Sequence, residues 1–149
     1  MRSRTTISVC MLIWSATAFG QILVPVKWSY AAKKTGDHEA VLFFKAMITP
    51  GWHIYSVNQK EGGPLKTSFK LARSSSIMRE GNVSEPEPVK KFEKAFEMDV
   101  FYFENEVVFQ QKIRLKAGQT IVKGTLEYMA CNDEKCLPPE TISFNIPVK

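Results

Sequence analysis

Cysteine is scarce, with three in 149 residues, which excludes a disulfide-dense miniature. Histidine is scarcer still. His38 and His53 do not stand at ligand spacing to each other, and a zinc site needs four ligands. No metal centre and no cofactor are expected. Charge of one sign is also in short supply: 20 Lys and Arg stand against 15 Asp and Glu, with no long basic run. Nucleic acid is therefore not an expected partner. Internal repeats and low-complexity segments are missing. What is present is globular composition, 44% hydrophobic and 23% charged, in a length that suits one domain.

Long apolar runs are missing too, with one exception at the N-terminus. Arg2 and Arg4 precede a mostly apolar stretch from Ile7 to Ala18, followed by Ala18-Phe19-Gly20. This is the layout of a secretory signal peptide, with cleavage expected before Gln21. The run is shorter than the roughly 20 residues a membrane helix needs. The expected organisation is a signal peptide at 1–20 and an exported domain at 21–149, not embedded in the membrane. Cys10 leaves with the leader. The mature chain keeps Cys131 and Cys136, and an even pair in an exported protein reads as a disulfide.

The body reads as strands. Alternation or β-rich composition runs through Gln21 to Tyr30, Glu39 to Ile48, Lys66 to Leu71, Glu106 to Leu115, Ile121 to Ala130 and Thr141 to Val148. Thr49-Pro50-Gly51 marks a turn before the short aromatic run Trp52-His53-Ile54-Tyr55, and Ala117-Gly118-Gln119 reads as a hairpin turn. The alternation in Glu106 to Leu115 breaks once, near Gln110-Gln111. Val89, Phe92 and Phe96 fall at helical spacing behind Pro88, which predicts one short helix. The expected fold is an all-β antiparallel sandwich of immunoglobulin-like type. Trp28, Phe43, Phe44, Phe69 and Phe109 are its candidate core.

Chemistry concentrates in Tyr128-Met129-Ala130-Cys131-Asn132-Asp133-Glu134-Lys135-Cys136-Leu137-Pro138-Pro139-Glu140. Two strands flank a polar loop, and facing residues of an antiparallel pair lie within disulfide reach. Closing so short a loop contributes only about 2 kcal/mol in the chain-entropy model. A bridge at a hairpin tip is exposed, and exposure makes a bridge easier to reduce. Two readings stay open from the residues: a redox-active pair, or a structural staple in a secreted module that binds protein or carbohydrate. A free-standing enzyme with Cys136 as nucleophile is a remote third. Lys135 could favour a thiolate at Cys136.

Residues 128–141 resemble the active-site hairpin of the N-terminal periplasmic domain family of the thiol:disulfide interchange protein DsbD. The pattern is an aromatic residue, a Cys, a short polar loop, a second Cys and then Pro-Pro. Pro50-Gly51-Trp52-His53-Ile54-Tyr55-Ser56 resembles a second family segment, and Asp99-Val100-Phe101-Tyr102 with Glu106 and Val107 resembles the cap loop and the strand after it. His53 stands where the best-known member has a tyrosine. The resemblance implies an immunoglobulin-like domain in the periplasm. Its activity would be shuttling electrons through a reversible Cys131–Cys136 bond, between a thioredoxin-like donor and periplasmic disulfide oxidoreductases or isomerases. It implies that Cys136 enters mixed disulfides and Cys131 resolves them. Phe101 would be the cap that shields the sulfurs, with Asp99 beside it, and Tyr55 and His53 would line the site. Read as a free-standing domain, the chain would be fed by a separate membrane electron carrier.

Overall fold

The computed structural model describes residues 23–149. The expected leader and its cleavage point lie outside them. Eleven strands follow in order: β1 (Val26–Gly36), β2 (Glu39–Ile48), β3 (His53–Tyr55), β4 (Ser68–Leu71), β5 (Ile77–Ser84), β6 (Val89–Glu93), β7 (Met98–Glu104), β8 (Glu106–Leu115), β9 (Thr120–Tyr128), β10 (Ala130–Cys131) and β11 (Glu140–Val148). All pairings are antiparallel. They form three sheets, ordered β1-β2-β8-β5, β11-β9-β4 and β10-β3-β7-β6.

The first two sheets make the body. In β2 and β8 the period-2 pattern places Leu42, Phe44, Phe109 and Ile113 on one buried face, each fully buried. Val122 and Leu126 of β9 with Phe144 and Ile146 of β11 supply the facing layer. Aromatic rings knit the two together. Phe44 meets Phe69 at 4.4 Å and Phe144 at 5.0 Å between centroids. This is the expected immunoglobulin-like sandwich, with inward residues of two antiparallel sheets forming one core. Phe43 points the other way on β2 and is only partly buried.

Three sequence expectations are corrected. Residues 89–96 form no helix. Val89–Glu93 is a strand paired in register with β7, and the turn 94–97 closes the hairpin, with Glu97 at φ 53°. Ala117-Gly118-Gln119 is no hairpin turn either, because β8 and β9 belong to different sheets and the segment carries the chain across the sandwich. The alternation of β8 does not break. Gln111 takes a core position at 1% exposure, and its side-chain amide donates to the carbonyls of Glu80 at 3.0 Å and Lys112 at 2.8 Å. Burial of an amide is tolerated when its donors are satisfied. The Glu80 bond ties Gln111 to β5, an edge strand largely exposed and without the alternation that would announce it.

The third sheet sits at one end of the body and is joined to it through shared residues. Ile54, Phe103 and Ala130 turn one face of this end sheet into the main core. The other face carries the cysteine.

Candidate functional site

β3 is set up by the turn before it. The Trp52 N–H donates to the Thr49 carbonyl at 3.0 Å, and Gly51 takes φ 84°, a left-handed conformation that favours glycine. Three residues then pair on both sides. His53 faces Cys131 and Glu104, Ile54 faces Ala130 and Phe103, and Tyr55 faces Tyr102. Since neighbours alternate, Ile54 goes inward, while His53 and Tyr55 share the outer face with Cys131 and Tyr102.

The cysteine hairpin extends the β9–β11 arm. At its base the Tyr128 hydroxyl donates to Glu140 Oε2 at 2.6 Å. The chain changes sheets at Met129, so Ala130 and Cys131 pair with β3 instead. The loop 132–135 closes on itself. Asn132 Oδ1 accepts from the N–H groups of Glu134 at 2.9 Å and Lys135 at 2.8 Å, and the Asn132 N–H donates to the Lys135 carbonyl at 2.9 Å. This is the backbone capture that makes asparagine a turn residue. Leu137 N–H returns to the Ala130 carbonyl at 2.9 Å. The two cysteine Cα atoms are thereby brought to 4.0 Å, and the sulfurs are bonded. Pro138 and Pro139 lack N–H groups and cannot extend the ladder. Strand pairing resumes at Glu140.

The bond is asymmetric in exposure. Cys131 is 1% exposed, whereas Cys136 is exposed. A hairpin tip predicts exposure for both; β3 covers one of them. Cys131 forms a small apolar cluster with Tyr55 and Val100, against which Phe96, Met98, Tyr102 and Met129 pack. The cysteine pair, Tyr55 and His53 are thus brought together. Phe101 and Asp99 are not. They fall on the opposite parity of β7 from Val100 and Tyr102, and Asp99 pairs with Lys90 at 3.0 Å. Phe101 is half-buried. Its N–H donates to Gln59 Oε1 at 2.8 Å and its carbonyl accepts from the Ser56 N–H at 2.9 Å. The residue over the cluster from the β6–β7 turn is Phe96. Phe96 is one of the three residues whose helical spacing predicts a helix, and the strand pairing of β6 places it in the turn instead.

His53 Nε2 is 3.1 Å from the Tyr55 hydroxyl, with the rings perpendicular, and the Tyr102 ring lies 4.8 Å away. Burial holds the His53 pKa below its ordinary 6.5, against the pull of the Glu104 and Asp133 carboxylates. Burial also pushes the Tyr55 phenol up to about 12, reinforced by Glu93 and Tyr102. At neutral pH the site therefore holds a neutral imidazole and a neutral phenol beside the buried sulfur.

Fold and site together define an immunoglobulin-like domain that presents a short-loop disulfide, half covered, on a small end sheet. The family model for the N-terminal region of the thiol:disulfide interchange protein DsbD matches residues 21–147. The chain belongs to that family. Among solved structures it is similar to the N-terminal periplasmic domain of ScsB from Proteus mirabilis, with 19% identity and a TM-score of 0.61, over 85% of this chain and 49% of that one. The chain thus spans about half the length of that relative. It is also similar to the DsbD N-terminal domain of Neisseria meningitidis in its reduced form, with 19% identity and a TM-score of 0.53, over 78% of this chain and 82% of that one. A third likeness is to the complex of the DsbD and PilB N-terminal domains from Neisseria meningitidis, with 17% identity and a TM-score of 0.51, over 78% and 80%. No curated protein matches the chain in sequence.

Proposed function

We propose that the chain is a periplasmic thiol:disulfide exchange module, passing electrons through a reversible Cys131–Cys136 bond. The observation that carries this is the division of the bond between an exposed Cys136 and a buried Cys131, in a cluster separate from the main core. An incoming thiolate can reach the outer sulfur without disturbing the sandwich. Family membership supports the same reading, and the related Neisseria domain has been solved reduced and in complex with another domain.

The partner's thiolate attacks Cys136 Sγ, and Cys131 Sγ departs with the electron pair of the broken bond and takes up a proton. The partner's second thiolate then attacks its own sulfur in the mixed disulfide, freeing Cys136. The partner ends as a disulfide, and this domain gains two electrons and two protons. The reverse sequence reduces a downstream disulfide. We assign the donor role to a thioredoxin-like domain fed by a membrane carrier, and the acceptor role to periplasmic oxidoreductases or isomerases. The apolar N-terminal segment, ending where the family match begins, supports export before residue 21.

The test is trapping. A Cys131→Ser variant mixed with an oxidised thioredoxin-like protein should form a covalent complex through Cys136, released by excess small thiol. The Cys136→Ser variant should form none. If neither variant is captured, and the native bond resists mild thiols in the folded protein, the bridge is only a staple.

A further inference from the structure

Cys131 poses a problem that the exchange chemistry must solve. To close the ring from a mixed disulfide at Cys136, Cys131 must attack as a thiolate, because the thiol is not the nucleophile. Cys136 is exposed. Cys131 is 1% exposed among Tyr55 and Val100, and burial in apolar surroundings favours the neutral thiol. Ring closure therefore requires one proton to leave a buried Cys131.

The register supplies a group to take it. His53 is the cross-strand partner of Cys131 between β3 and β10, and such partners carry Cβ atoms about 4.5–5.5 Å apart on one face. The imidazole is anchored beside a residue of the Cys131 cluster. Its Nε2 is held at the Tyr55 hydroxyl, 3.1 Å distant, and Tyr55 itself packs with Cys131. We propose that His53 is the base for Cys131. As Cys131 Sγ attacks Cys136 Sγ, the imidazole takes the thiol proton, the bond from Cys136 to the partner breaks, and the partner's sulfur leaves with the electron pair as a thiolate. In the opposite direction the imidazolium returns the proton to Cys131 as it is expelled. The proposal rests on the exchange reading and adds to it the residue that moves the proton.

The groups that face His53 fix its state. They are Glu104 on β7, Asp133 in the cysteine loop, Lys91 and Glu93 on β6, and the rings of Tyr55 and Tyr102. Burial outweighs the carboxylates and keeps the ring neutral at neutral pH, which is the form a base requires. Tyr55, whose phenol ionises only in strong alkali, cannot serve as the base in its place.

The experiment follows two releases of thione. The reduced chain is mixed with excess dipyridyl disulfide. The first release, dependent on reagent concentration, reports capture at Cys136. The second, independent of it, reports ring closure by Cys131. In the wild-type chain the closure rate should rise with pH through one group below about 6.5 and then level off. In His53→Phe the ratio of closure to capture should fall about tenfold or more at neutral pH. Closure should then climb instead through the thiol range, at about pH 8.5 and above. His53→Gln should behave as His53→Phe does and serves if the larger ring perturbs folding. An unchanged ratio and pH profile in these variants overturns the proposal. A wild-type chain that never makes the second release overturns the exchange reading itself, and the proposal with it.

Discussion

The body and the end sheet solve different problems with the same strands. In the body, two sheets bury one continuous core in which Leu42, Phe44, Ile113 and Leu126 are fully buried. In the end sheet, the outward cluster around the sulfur has three buried members, Tyr55, Val100 and Cys131, and the rest of that face is partly exposed. Stability scales with apolar area removed from water, so it resides in the body. Reactivity needs a reachable sulfur, so it resides where burial is thin. A bond can then be broken and remade at one end while the packing that specifies the fold is left alone.

The sharpest way to break this comparison is to damage each region in turn. Phe44→Ala removes a ring that touches Phe69 and Phe144 from the facing layer, and should cost about 3–5 kcal/mol in urea unfolding. The Cys131→Ala, Cys136→Ala double variant should lose only about 2 kcal/mol, unfold cooperatively, and have no exchange activity. A double variant as unstable as Phe44→Ala would show that the disulfide is part of the structural core after all.

A smaller effect separates the two faces of the end sheet. Phe96 packs onto the cluster that holds Cys131, and Phe101 does not. Phe96→Ala should speed reduction of the folded protein by a small thiol severalfold. Phe101→Ala should leave that rate as it is while lowering stability by about 1 kcal/mol, a usual cost for a half-buried side chain. The opposite ranking would return the shielding role to Phe101.

These two phenylalanines also show how far the sequence was legible. The cysteine hairpin could be read because its chemistry is local: two sulfurs, a polar loop and a pair of prolines that stop the ladder. The sandwich strands could be read because one face is buried and the other is not, which writes a period of two into β2, β8 and β11. β6 is exposed along nearly its whole length. It carries no such period, and the accidental spacing of Val89, Phe92 and Phe96 imitates a helix. The turn at 117–119 announces that the chain reverses, but not that it changes sheets. Parity separates the two candidates for the cap. Asp99 and Phe101 look right in a run of four letters, yet alternation along β7 sends them away from Cys131. Nothing local marked His53 as the register partner of Cys131. That pairing joins residues far apart in sequence and exists only once β10 leaves the β9–β11 arm.

The smallest expected effect compares a tyrosine from each region. Tyr55 in the end sheet and Tyr128 at the base of the hairpin are both buried, and burial pushes both phenols above their ordinary 10.0, Tyr128 with further help from its bond to Glu140. A folded-state pKa above the unfolded value means the native state holds the proton longer. The stability this represents is complete below about pH 10 and is lost as pH rises through about 12 for Tyr55. Stability measured across that window should fall with pH in the wild-type chain. In Tyr55→Phe the fall should be shallower by one proton, and at neutral pH the change should stay within about 1 kcal/mol. The Tyr55 variant should also show one phenol fewer in the alkaline absorbance titration of the folded protein. A slope that Tyr55→Phe does not alter would mean that the phenol already ionises freely in the native state. The end sheet would then be open enough for water to reach Cys131 as well, and the difference in burial between its two sulfurs would no longer set their roles.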